Sequence, residues 1–154
     1  NQINGVLNNS LGRIRYQKEK ACLILPVASG IQERKNLDWG QYIRKMKPLY
    51  KQLLTDMANI GIGLSKELIE EESFLCYDQV FLILNSSDER KEYLRGKKEK
   101  VHEIPAQKYV SITYLGGNEK APEYYRQIQQ WMKVRRLKAT GAAQEIHRGG
   151  VRHR

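Results

Sequence analysis

The chain reads as an α+β protein: two β-α-β-β pseudo-repeats forming one curved antiparallel sheet, with two main helices on one side and a ligand cleft on the other. Three observations predict this. Two amphipathic helices, near 41–60 and 118–136, carry Pro48, Tyr50, Leu54 and Met57 in the first and Pro122, Tyr124, Ile128 and Trp131 in the second, at the same spacings. Each follows an extended apolar segment introduced by a lysine, "EKACLIL" and "QKYVSIT", and each precedes glycine and further strand. A sheet whose one face is covered by helices leaves its other face, near the pseudo-twofold axis, as the natural ligand site.

The elements follow in order. "RIRYQKEKACLILPVAS" is extended, with Ala21 to Val27 buried. The loop 29–38 holds Gly30 and ends in Asp38, a helix N-cap candidate. From Gln41 to Ile60, apolar Tyr42, Met46, Leu49, Leu53, Met57 and Ile60 recur at helical spacing, and the glycines of "NIGIG" end that helix. "LSKELIEEESFLCYDQVFLIL" holds two strands, the surer being Tyr77 to Leu84, whose run "VFLIL" is covered on both faces. Glu70, Glu71 and Glu72 read as a solvated edge. "NSSDERKEYLRGKKEK" reads as a solvated connector with at most one helical turn. Two extended runs flank Pro105, the second helix ends near Arg136, and "GAAQEIH" is the last strand before a tail, "RGGVRHR", that reads as disordered.

Composition narrows the function. Of 154 residues 40% are hydrophobic, ordinary for a globular domain. No apolar run reaches the ~18 residues of a membrane span, and no signal peptide is legible, so a cytoplasmic chain without membrane contact is expected. Cys22 and Cys76 sit in apolar segments and read as free thiols. The net charge of +10 is concentrated in 133–154, which holds seven basic residues and one acid, Glu145. Without a helix-turn-helix, zinc-finger or ribonucleoprotein signature, that charge does not make a nucleic-acid reader.

Catalytic signatures are equally sparse. Neither cysteine sits in a nucleophile turn, His102, His147 and His153 are scattered, and "GIG" and "LGG" are turn glycines rather than phosphate loops. No metal or cofactor is expected. Nine tyrosines and two tryptophans against two phenylalanines favour rings with a polar handle, suited to stacking on flat or cationic molecules. Tyr109 and Tyr114 flank a strand, and Phe81 lies in "VFLIL". Tyr50 and Trp131 fall on helical stripes where a core role competes with a place in the ligand wall. If "AAQEIH" is a strand, Ile146 points one way and Glu145 and His147 the other. Ile146 is expected to face the helices, leaving Glu145 in the cleft, where a partly desolvated carboxylate favours a cation. The competing reading is an ion pair with Arg148 or an arginine of the second helix.

Residues 97–146, with their "IPAQKYVSITY" strand, glycine-bearing turn, aromatic-ended helix and final "EI" strand, resemble the second half of the gyrase-inhibitor-like (GyrI-like) ligand-binding domain. "LGRIRYQKEKACLIL" and "YDQVFLIL" resemble its first half. That domain is the effector-binding part of MerR-type multidrug regulators and some AraC-type activators. The resemblance implies a linker remnant at 1–10, a ligand-binding domain at 11–148 with halves at about 11–88 and 97–148, and a basic tail at 149–154. It implies an aromatic-lined cleft in which an acid, here Glu145, neutralises lipophilic cations, with Tyr114 as the strand-ending tyrosine. The aromatic at the start of the second helix is replaced by Ala121, with Tyr124 and Tyr125 one turn later. The missing initiator Met and absent winged helix and coiled coil then suggest the sensor half of a transcription regulator. Such a sensor would take a hydrophobic or cationic small molecule, meet DNA only through a domain missing from this chain, and form a homodimer in the full-length protein. The candidate ligand-binding residues are therefore Glu145, Tyr114, Tyr109, Tyr50, Phe81, His147 and Trp131. Two alternatives stay open: a hydrolase of a reactive small molecule with Glu145 as general acid/base, and a protein-binding inhibitor.

Overall fold

Apolar residues at alternate positions, such as Leu23 and Leu25, Ile60, Ile62 and Leu64, and Val110 and Ile112, bury one face of the sheet. The computed structural model describes residues 12–46, 59–96, 101–114, 117–147 and 150–153. The strands are β1 (Ile14–Glu19), β2 (Cys22–Glu33), β3 (Asn59–Leu64), β4 (Cys76–Asn85), β5 (His102–Ile104), β6 (Gln107–Thr113), β7 (Ala143–Ile146) and β8 (Gly150–His153). They form one sheet in the order β1-β6-β8-β7-β3-β4-β2-β5, every pair antiparallel. The order maps onto itself when β1 to β4 are exchanged with β5 to β8. Under that exchange the edge strands cross over: β1 pairs with β6 of the second set, and β5 with β2 of the first. The α+β class and the antiparallel sheet are as the sequence predicts.

The helices are α1 over 39–46, α2 (Lys66–Glu70), α3 (Asp88–Gly96) and α4 (Ala121–Val134). Asp38 starts α1 as expected, its carboxylate accepting from the Gln41 N–H at 3.2 Å. Met46, Leu68, Leu94 and Ile128, one from each helix, are buried in the same cluster as Leu23, Leu25, Ile62, Leu82, Ile112 and Ala143, so all four helices cover one face. A second, smaller cluster of Cys22, Phe81, Ile83 and Ile104, with Ile24 and Ile146 packed against it, lies on the other face. Burying apolar area on both faces explains why β4 reads as a continuous apolar run.

Several expectations need correction. "NIGIG" does not end a helix but opens β3. A Cβ on Gly61 would lie 2.7 Å from Phe81 Cε2 and 2.9 Å from the Glu145 carbonyl oxygen, so glycine is there for close approach rather than termination. The Ser65–Ser73 stretch contains α2, capped by Ser65 Oγ, not a strand. The charged connector is helical over Asp88–Gly96: Ser87 Oγ accepts from the Arg90 N–H, acids open the helix and Arg95 closes it. The tail is not free, since Gly150–His153 pairs with both β6 and β7 inside the sheet. Tyr50, Pro48 and the rest of 47–58 lie outside the described residues.

β2 is the longest strand and is bulged, its register against β4 shifting between Pro26 and Ala28 and again between Ser29 and Gln32, with Gly30 at φ 105°. Bulges bend a strand, and this one ends in a 3-10 turn, Arg34–Asn36.

Candidate functional site

Glu145 sits on β7, next to the central β3·β7 pairing, opposite Ile62. Its side chain lies on the helix-bearing face, reversing the expectation that Ile146 would face the helices. Ile146 enters the opposite apolar cluster instead. Alternation was right about the two residues pointing apart, but with apolar clusters on both faces it could not say which way.

The carboxylate is 4% exposed. Arg34, itself 2% exposed, grips it bidentately: Nη1 donates to Oε1 and Nη2 to Oε2, both at 2.6 Å. Tyr125 Oη of α4 donates to Oε2 at 2.6 Å. Arg34 makes two further bonds nearby, Nε to the Phe74 carbonyl at 2.8 Å and Nη1 to Asn118 Oδ1 at 2.7 Å. Asn118 Nδ2 returns a bond to the Arg34 carbonyl at 2.7 Å. Such fork-to-fork contacts are the strong, geometrically specific class of ion pair. The Arg148 alternative lies outside the described residues, and the partner comes from 111 residues away instead.

Two ring stacks border the centre. Phe74 lies on Tyr125 with centroids 4.9 Å apart and planes 3° from parallel, and Tyr114 lies on Tyr124 at 4.3 Å and 18°. Electrostatics follow burial. Burial works against the Arg34 charge, but the hydrogen bond and charge of Glu145 outweigh it and hold the guanidinium above its usual range. Burial, then the charge and hydrogen bond of Glu145, push the Tyr125 phenol well up. Tyr114 is pushed up to about 12 by burial and next by the Glu145 charge.

Of the predicted residues, Glu145 and Tyr114 thus share a site. His147 lies against Trp39 at the start of α1, with ring centroids 4.7 Å apart and planes tilted by 36°. Tyr109 is buried, its Oη accepting from Gln107 Nε2 at 3.2 Å; strand alternation from Val110 and Ile112 places it on the opposite face, as it does Phe81. Trp131 belongs to another surface, edge-on to Tyr16 and under the Arg135 guanidinium at 3.8 Å. There it lines a groove of about 550 Å³ with Ile14, Glu123 and Val134. Sequence reasoning missed Arg34, Asn118 and Phe74, and named Tyr125 only as an aromatic one turn into the second helix, not as a candidate. Tyr125 was findable, since Ala121, Tyr125, Ile128 and Met132 form the buried stripe of α4. Arg34 was not, being one base in a polar loop.

Among the described residues no group of His, Cys, Asp and Glu could hold a metal ion, and no helix is long and apolar enough to cross a membrane. No family model and no curated protein matches the sequence. Among solved structures, the chain is similar to one described as a cryo-EM structure of an EcmrR–DNA complex in EcmrR-RPo, with TM-score 0.57 and 15% identity, covering 99% of this chain and 62% of that one. That likeness is one of fold. This chain spans about 62% of the length of the chain it resembles.

Proposed function

We propose that the chain is a small-molecule sensor domain of a transcription regulator, similar to the GyrI-like effector-binding domains of MerR-type regulators. It would comprise the whole sheet, β1 to β8, as two halves, with the second half carried past 148 to include β8, and take a lipophilic or aromatic, cationic compound. The observation that carries this reading is the Glu145 carboxylate, buried at the middle of the sheet beside Tyr114, Tyr124, Tyr125 and Phe74. With its Arg34 partner displaced, a buried acid among aromatic rings attracts a cation, and the rings stack a flat one. The fold shared with EcmrR, whose solved structure is a complex with DNA, supports a regulatory role. DNA contact would then belong to sequence outside these 154 residues, and ligand binding would act by shifting a conformational equilibrium.

Both carboxylate oxygens already accept short bonds, so a hydrolytic role in which Glu145 takes a proton from water has less support than binding. The test is a binding panel of aromatic cations and neutral compounds of matched shape, followed by tryptophan and tyrosine fluorescence, on the wild type and Glu145→Gln. Loss of the cations by at least about tenfold more than the neutrals supports the reading. Equal loss for both, or no saturable binding by any compound, contradicts it.

A further inference from the structure

We infer that the Arg34 guanidinium is a tethered stand-in for the ligand, and that the centre admits an aromatic amidinium or guanidinium compound in exchange for it. The inference rests on the reading that Glu145 anchors an effector and adds the ligand's chemical class and the consequence of its entry. The two Glu145 oxygens are met by a planar pair of N–H groups at equal 2.6 Å distances. A ligand that replaces Arg34 without leaving buried acceptors unmet must carry the same fork. A quaternary cation supplies charge but no donor, and a primary ammonium, whose N–H bonds diverge from one nitrogen, cannot present two parallel donors. The stacked Phe74–Tyr125 pair beside the carboxylate provides a flat wall for a ring attached to such a fork.

Arg34 is well placed to leave. It comes from a three-residue 3-10 turn rather than from a strand ladder, held there by its N–H on the Leu75 carbonyl at 2.7 Å and by Asn118. Its neighbours Ile31, Gln32, Glu33, Lys35 and Asn36 are exposed, and Asn118 is itself only partly buried. Exchange also has a mechanical consequence. Arg34 and Phe74 belong to the first set of strands and their loops, whereas Asn118, Tyr125 and Glu145 belong to the second. Withdrawing Arg34 therefore releases a side-chain clasp between the two sets while the β3·β7 pairing persists, which gives ligand entry a structural output.

The test follows the Arg34 Nε–H by ¹⁵N NMR in the wild-type chain during titration with benzamidine and, separately, neutral benzamide. Bound to the Phe74 carbonyl and buried, this proton is expected to exchange slowly in the free protein. Saturating benzamidine is expected to move it into the envelope of solvent-exposed arginines, and benzamide is not. Because the buried, multiply bonded Arg34 leaves at most a minor Arg34-out population in free molecules, Arg34→Met is expected to bind benzamidine at least about tenfold more tightly than the wild type, having no competitor to expel. Should that variant fail to fold, the wild-type titration decides alone. Saturable binding of either compound with the Arg34 signal unmoved overturns the exchange and leaves the sensor reading standing. Binding of other panel compounds but not benzamidine overturns the assigned ligand class. No binding by any compound overturns both.

Discussion

Glu145→Gln is the sharpest probe of the centre. The substitution keeps the shape of the side chain but offers one acceptor oxygen where Arg34 and Tyr125 bring three donors to two, and sets an NH₂ against an N–H of the guanidinium. Arg34 is 2% exposed, so water cannot restore the lost contact without opening the site. Removing one partner of a buried, hydrogen-bonded ion pair costs about 3–5 kcal/mol, against about 0.2–1 kcal/mol for an exposed pair. With a denaturant dependence of about 2 kcal/mol/M, the urea midpoint should fall by about 2 M. Arg34→Met should cost a similar amount for the mirrored reason. The double variant, which removes both charges, should lie within about 1 kcal/mol of the wild type, because the desolvation cost of the pair goes with it. Single variants that each cost less than about 1 kcal/mol, or a double variant as unstable as the two singles together, would refute the buried clasp.

Three further outcomes are expected. Tyr125→Phe keeps the stack on Phe74 and the bidentate pair but removes one donor to a charged acceptor; it should cost about 1.5–3 kcal/mol in urea melts. Gly61→Ala drives a methyl into Phe81 and into the immovable Glu145 carbonyl, and should cost about 1–3 kcal/mol by the same assay while Gly→Ala in open strand costs nothing of the kind. Tyr77, Tyr114 and Tyr125 all hold their protons more tightly when folded, chiefly through burial. A raised folded pKa is a stability contribution fully present below the unfolded value near 10 and lost above it. Tyrosine-linked stability should thus be constant up to about pH 10 and decline towards about pH 12, the Tyr114 value, with absorbance titration at about 295 nm showing late-ionising phenols.

How far the fold was legible depended on whether burial left a local mark. Apolar runs and stripes marked β2, β4 and α4, and Asp38 marked the start of α1. The strand "NIGIGL" was hidden because its glycines, which make room for Phe81 and Gln79 from β4, look locally like helix stops. Helix α3 was hidden by its charge, although Ser87, Asp88 and Glu89 at its start and Arg95 at its end are the pattern a helix dipole prefers. β8 was hidden because its place follows from β6 and β7 each needing a neighbour, a fact of topology rather than of "RGGVRHR" itself. At the site, the lone acid of a basic segment stood out, and its burial accounts for its presence there. Its partner did not stand out, because a guanidinium delivered across 111 residues by the end of a bulged strand leaves no trace in spacing.

Whether an effector binds at the Glu145 centre is decided by a crystal structure of the chain with the tightest compound from the binding panel. Ligand density is expected within hydrogen-bond distance of Glu145 Oε1 or Oε2 and stacked on the ring of Tyr125, Phe74, Tyr114 or Tyr124, with Arg34 turned out of the site. A ligand seated elsewhere, such as the Ile14–Trp131 groove on the outer side of α4, with the Arg34–Glu145 pair intact, would contradict that assignment.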